Sequence, residues 1–288
     1  MFQGWRFSLA RREWRVQFSS GPQWRLGRGG LCIGLKIRRT WFNSRRRHNF
    51  LIMKIVAISD IHGYLPNDLP EGDVLCICGD IVPLDYQSNF TKSVAWFELD
   101  FVPWSDSLNY QKIIFIAGNH DFFLEKISMT MESHYMDSKV LKWLLPDSHQ
   151  SEHKLVYLQD SWVEIDSVRF YGTPWVPYLT NWAFYKSSED LVKTFSKIPK
   201  NVDVLISHTP PRVWELGKVL QPSYSFGKDF GCKELADAIS ERNIKWSICG
   251  HVHSGEHNVV EFDDTKFSNV STKDEDYHIY YPPFIFDV

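Results

Sequence analysis

From Lys54 onward the chain is built on short, unbroken apolar runs. Lys54–Ser59, Asp73–Cys78 and Lys112–Ala117 are each of strand length, and each passes directly into a polar loop carrying Asp, His or Asn. Continuous rather than alternating runs of this length suit strands buried on both faces. Asn89–Phe101 has helix-compatible spacing, and Asp137–Leu145 predicts another helix, halted by Pro146. Val163–Ile165 and Val168–Tyr171 flank Asp166-Ser167 and predict a hairpin. Val202–Ser207 is another buried-type strand ending at a histidine, Cys232–Glu241 reads as a helix, and Lys245–Cys249 as a strand that ends in Gly-His. The remainder is β-rich, and Pro282-Pro283 confines the last strand to an edge or a bend. A βαβαβ opening followed by hairpins predicts mixed sheets covered by helices, an α/β class. Ligands of open α/β sheets gather beyond the carboxyl ends of the strands, and here every polar cluster follows a predicted strand.

Composition changes this picture mainly at the front. The chain has 288 residues, 43% of them hydrophobic and 15% aromatic, enough to bury a large core and to exclude a disordered or fibrous protein. The net charge of −3 is unevenly spread: residues 1–52 hold twelve of the 32 basic residues, eleven of them Arg, and only Glu13 of the 35 acidic ones. The rest, 53–288, is therefore acidic, with Arg169, Arg212 and Arg242 as its arginines. Three readings fit the front segment: sequence translated upstream of a start at Met53, an Arg-rich organellar presequence, or a basic, aromatic-studded arm for nucleic acid. In each, 1–52 lies outside the fold and 53–288 forms the domain. There is no run of 18 apolar residues for a membrane span and no secretory signal pattern, so the expectation is a soluble, cytoplasmic protein. The acidic body offers no basic groove for nucleic acid. Five cysteines lack zinc-ligand spacing, and Cys76 and Cys78 share one face of a strand, which predicts buried reduced thiols.

The candidate chemistry lies in five blocks: Asp60-Ile61-His62, Gly79-Asp80, Gly118-Asn119-His120-Asp121, Ser207-His208-Thr209 and Gly250-His251-Val252-His253. Singly, the first, second and fourth arise often by chance. G-N-H-D is expected in roughly one chain per thousand and G-H-x-H in about one per hundred, so the ordered set is a strong signal. Two divalent ions about 3.5–4 Å apart can clamp a phosphate and generate a hydroxide between them. A carboxylate suits the bridging place, and Asp80 is the candidate. A donor set of imidazole, carboxylate and amide oxygen without thiolate favours Mn²⁺, Fe²⁺/Fe³⁺ or Zn²⁺ over Ca²⁺.

These blocks resemble the calcineurin-like metallophosphoesterases over about residues 53–255. Within that superfamily the closer resemblance is to the MPPED-type metallophosphoesterases. It rests on Leu158-Gln159-Asp160-Ser161, Tyr171-Gly172-Thr173-Pro174-Trp175, Asn181-Trp182-Ala183-Phe184, Ile206-Ser207-His208-Thr209-Pro210-Pro211 and Gly231-Cys232-Lys233-Glu234-Leu235. The resemblance implies a four-layer αββα sandwich, two mixed β-sheets flanked by helices. It implies one metal held by Asp60, His62, His253 and bridging Asp80, and a second held by Asn119, His208, His251 and the same Asp80. His120 matches the unligated histidine that faces the leaving-group oxygen. The implied reaction is hydrolysis of a small phosphate ester, nucleotides included, by in-line attack of a metal-bridging hydroxide.

One departure bears on the substrate. In protein serine/threonine phosphatases the second block continues as G-D-x-V-D-R-G, whereas here Pro83 and Leu84 take the places of that second Asp and the Arg. The protein-phosphatase reading loses support, and the partner of His120 becomes Asp85 or Asp121. Arg212 either reaches a substrate phosphate or is an ordinary loop arginine. Trp175, Trp182, Phe184 and Tyr185 either wall a pocket or pack the core. His134, His149, His153, His257 and His278 fall outside the blocks. A phosphodiesterase is the favoured reading, with a phosphomonoesterase the alternative. A non-catalytic module on this scaffold would predict damaged ligand blocks, and none is damaged.

Overall fold

The computed structural model describes residues 52–131 and 153–288; the predicted helix at 137–145 and the front segment through residue 51 lie outside them. The apolar runs form β1 (Lys54–Ile58), β2 (Val74–Ile77) and β3 (Lys112–Phe115), joined by β4 (Leu155–Tyr157) and edged by β11 (Phe284–Asp287). Their order is β11-β1-β2-β3-β4, parallel except for β11, which lies antiparallel to β1 directly after the two prolines. The second sheet, in the order β5-β6-β7-β8-β10-β9, comprises β5 (Ser161–Ile165), β6 (Val168–Thr173), β7 (Asn201–Ser207), β8 (Asn243–Cys249), β9 (Val260–Phe262) and β10 (Thr265–Asn269). The predicted hairpin is the antiparallel β5–β6 pair, while β6, β7, β8 and β10 run parallel.

Side-chain alternation sorts the apolar residues into three cores. Ile55, Ala57, Val74, Cys76, Ile114 and Ile116 face the second sheet, meeting Phe170, Val204, Ile206 and Ile248. Their strand neighbours Val56, Ile58, Leu75, Ile77, Ile113 and Phe115 face the opposite way, into helices α1 (Phe90–Trp96), α2 (Val102–Ser107) and α3 (Phe122–Met131). On the far side, Leu205, Ile244 and Phe267 pack under α4 (Ser188–Phe195) and α5 (Lys233–Ser240). Two mixed sheets face to face with helices outside make the four-layer αββα sandwich. Cys76, Cys78, Cys232 and Cys249 are buried free thiols. Among the described residues no helix is long and apolar enough to cross a membrane.

The helix predicted over 89–101 runs further, to Ser107, despite Pro103. A π-helical turn, Phe97–Phe101, precedes the proline, and the Val102 N–H reaches back five residues to the Phe97 carbonyl. Pro103 thus stands at the start of a new α segment, where its missing N–H costs nothing.

Candidate metal centre

Asp60 and His62 follow β1, Asp80 follows β2, Asn119 and His120 follow β3, His208 follows β7, and His251 and His253 follow β8. Because these five strands are parallel within their sheets, their carboxyl ends bring all five blocks to one place. The loops turn sharply there. Asp60, His62, Asp80 and His251 have φ of 55°, 42°, 53° and 70°, the left-handed region that non-glycine residues seldom occupy. Glycine is needed where the loops touch. A Cβ on Gly118 would stand 2.2 Å from Asp80 Oδ1, and one on Gly79, itself at φ 97°, 2.6 Å from His208 Nδ1.

Asp80 is the hub. Its Oδ2 lies 3.4 Å from His208 Nε2 and 3.8 Å from the Nε2 atoms of both His62 and His120. Asp60 Oδ1 is 3.7 Å from His253 Nε2. Donor atoms lie within 4.8 Å of one another in three sets: Asp60, His62, His253; Asp60, Asp80, His208; and His62, Asp80, His120. Asn119 Oδ1 is 3.0 Å from His208 Nε2, and the His251 ring centroid lies 5.0 Å from that of His208. The structure therefore brings together all seven predicted ligands and His120.

The ring nitrogens facing away are held. His208 Nδ1 lies 2.8 Å from the Cys78 carbonyl, His253 Nδ1 2.8 Å from the Asp274 carbonyl, and His120 Nδ1 meets Gln87 Oε1. A backbone carbonyl accepts, so Nδ1 of His208 and His253 carries the proton and Nε2 is left to ligate. In His62 both ring nitrogens are buried with no hydrogen-bond partner. An orphaned buried imidazole beside two carboxylates fits a cation ligand. Burial drives the His62 pKa well below its ordinary value, and burial and the charge of His208 lower His251 to about 3. Burial also opposes a charged His208, yet the Asp80 carboxylate outweighs it and pushes His208 up to about 9. The two carboxylates thus draw positive charge to this spot, and the donor set fits a divalent metal.

The model of the family described as calcineurin-like phosphoesterase matches residues 53–255. The chain belongs to that family. It is therefore a hydrolase of phosphoric ester bonds, and a metal-dependent one. Human metallophosphoesterase domain-containing protein 1 is 31% identical over 248 residues, covering 82% of this chain and 71% of that protein. A UPF0046 protein of Caenorhabditis elegans is 29% identical over 255 residues, 82% of this chain and 60% of that one. Among solved structures, a phosphopantetheinyl hydrolase from Mycobacterium tuberculosis aligns with a TM-score of 0.48 at 16% identity, covering 82% of this chain and 95% of that one.

In this phosphoesterase neither aspartate expected to orient His120 does so. Asp85 is exposed. Asp121 is fully buried and turns to the backbone, accepting from Gly118 N at 2.8 Å, Val82 N at 3.0 Å and Ile81 N at 3.1 Å. Burial, then the charge of Asp80, pushes its pKa up to about 7 against those three bonds. The amide of Gln87 takes the orienting place instead, and no sequence pattern marks it. Arg212 is not brought to the cleft; its Nε pairs with Asp229 Oδ2 at 3.0 Å, half-exposed. Of the four weighed aromatics only Trp182 lines the cleft, its ring 4.5 Å from His120, while Phe184 is core and Trp175 donates to Asp160 Oδ2 at 2.7 Å. His257 stacks on Tyr281 at 3.5 Å. Tyr277, which the motifs do not reach, packs its ring 5.1 Å from His62 and 4.9 Å from His253.

Proposed function

We propose that this protein is a phosphodiesterase working with two divalent ions, Mn²⁺, Fe²⁺/Fe³⁺ or Zn²⁺, with Asp80 shared between them. The observation that carries the diester reading is the lining of the cleft. It has a volume of about 290 Å³ and contains Asp80, His120, His251 and His253 alongside Trp182, Tyr224, Phe230 and Tyr277, and none of its lining residues is Lys or Arg. A monoester carries a charge of about −1.5 to −2 near neutral pH and is usually gripped by arginine forks or lysine. A diester carries a single negative charge and two organic arms, which suits a cleft with apolar and aromatic walls.

Asp60, His62, His253 and Asp80 would hold one ion, and Asn119, His208, His251 and Asp80 the other. Bound there, the ions would make water nucleophilic at neutral pH and draw charge from the phosphate oxygens. His120, directed by Gln87, presents Nε2 to the same space and would donate a proton to the departing oxygen. Trp182 and Tyr277 line the same cleft.

Protein reconstituted with Mn²⁺ should hydrolyse bis(4-nitrophenyl) phosphate with a kcat/KM about tenfold or more above that for 4-nitrophenyl phosphate, about 1.4 kcal/mol of discrimination. Preference for the monoester would reverse the assignment. Asp80→Ala should bind neither ion by elemental analysis, and two tightly held ions in that variant would remove Asp80 from the shared position.

A further inference from the structure

The match to the family ends at residue 255, yet the polypeptide beyond it returns to the metal centre. Residues 271–281 fold as a hairpin whose arms pair Lys273 with Ile279. Its base is tied to the loop of the first block, where Thr272 N and Oγ1 both donate to the Ser59 carbonyl at 3.0 Å, next to Asp60. Its tip, Asp274–Tyr277, reaches the last ligand block.

Two adjacent residues of the tip grip two adjacent residues of that block. The Asp274 carbonyl lies 2.8 Å from His253 Nδ1, and Glu275 Oε1 accepts from Ser254 N at 3.0 Å and from Ser254 Oγ at 2.7 Å. With its proton committed to Glu275, the Ser254 hydroxyl oxygen is free to accept from Leu220 N at 3.1 Å and Gln221 N at 3.2 Å. A third segment is thereby tied to the same point. The tip is itself rigid: Asp274 Oδ1 accepts from Asp276 N at 3.0 Å and His278 N at 2.8 Å, and Lys273 Nζ donates to the Tyr277 carbonyl at 2.9 Å. Tyr277 then closes over His62 and His253.

We propose that this hairpin is a positioning strap for His253, with Glu275 as its latch. Resting on the assignment of His253 as a metal ligand, the proposal assigns a role to residues the family motifs do not contain. The strap fixes the His253 tautomer through a carbonyl and its orientation through Ser254, leaving Nε2 facing Asp60 at 3.7 Å, where a metal would be held. Glu275 is a positioning residue, since it acts through Ser254 and His253.

The test titrates Mn²⁺ into the metal-free full chain by calorimetry, alongside thermal unfolding of the metal-free form, for wild type, Glu275→Ala, Glu275→Gln and His253→Ala. Partners behind a metal ligand typically set about 10–100-fold in affinity. Glu275→Ala should weaken one ion by that factor and leave the other within about threefold. Glu275→Gln should restore most of the affinity, because one carbonyl oxygen can accept both Ser254 donors. A Glu275→Ala variant that melts earlier but binds both ions as wild type does would show a purely structural role and overturn the strap. Equal losses in Glu275→Ala and Glu275→Gln would overturn the latch, pointing to charge instead. Unchanged affinities in His253→Ala would overturn the ligand assignment itself.

Discussion

Asp121 gives the sharpest test of how the site is held, because the residue is fully buried and its role is countable. Its two oxygens accept from the backbone N–H groups of Gly118, Ile81 and Val82, which belong to the loops presenting Asn119 and Asp80. Asp121→Ala would leave three donors without partners in a space closed to bulk solvent. Each orphaned buried donor costs about 1–3 kcal/mol. The three share one pocket, so their costs do not add fully, and water entering the vacated volume relieves part of the sum. The expected loss is about 3–5 kcal/mol, or about 10 °C in the midpoint for a domain of this size. Asp121→Asn keeps one acceptor oxygen but turns an N–H₂ toward a donor, and should lose about half as much. Urea unfolding of the metal-free protein, with thermal melting as a second probe, measures both. An Asp121→Ala variant within about 1 kcal/mol of wild type would refute the reasoning, since the loops would then be held by something other than this carboxylate.

Three further outcomes can be measured. His120→Ala should keep its metals and lose about 10²–10⁴-fold on alkyl leaving groups, but much less on nitrophenolate, which departs without a proton. Gln87→Leu should show the same leaving-group dependence at smaller size, up to about 10²-fold. Equal losses across the series, in either variant, would place His120 on the phosphate rather than on the leaving oxygen. A chain beginning at Met53 should match the full chain in midpoint and turnover, because β1 begins at Lys54 and Met53 is already paired with Val288 by two backbone bonds. Loss of either property would mean that residues 1–52 contribute to the domain.

The central strands were legible because burial on both faces requires an unbroken apolar run, and Ile55–Ile58, Val74–Ile77 and Ile113–Phe115 have nothing else. Shorter or mixed elements were not. β4 has only three residues, and α3 starts immediately after the Gly118–Asp121 block, whose chemistry draws attention from the helical spacing that follows it. The start of α4 did carry a signal, since Ser187 caps it by accepting from Asp190 N at 3.3 Å. At the site, side chains with distinctive chemistry were found by their order along the chain. Gln87 was missed because a glutamine in a loop is unremarkable, and Asp274 because it acts through a backbone carbonyl, which no residue type announces. Asp85 and Asp121 were chosen for their charge, whereas the position beside His120 went to an amide.

The five blocks look separate in the sequence, but physically they form one network, and the left-handed residues explain why. Holding Asp60, His62, Asp80 and His251 at positive φ costs about 1–2 kcal/mol each. Each is held there by a neighbouring block. Asp60 N donates to the Gly79 carbonyl at 3.1 Å and His62 N to the Asp80 carbonyl at 2.9 Å. The Asp60 carboxylate accepts from His251 N at 3.0 Å, and the Asp80 carboxylate from His120 N at 2.8 Å. The carboxylates that would hold metal therefore also hold the backbone turns presenting the next ligands. Removing one should loosen its neighbours as well as vacate a coordination place, so double substitutions between blocks should cost less than the sum of the singles. A site built this way tolerates little drift in any one block.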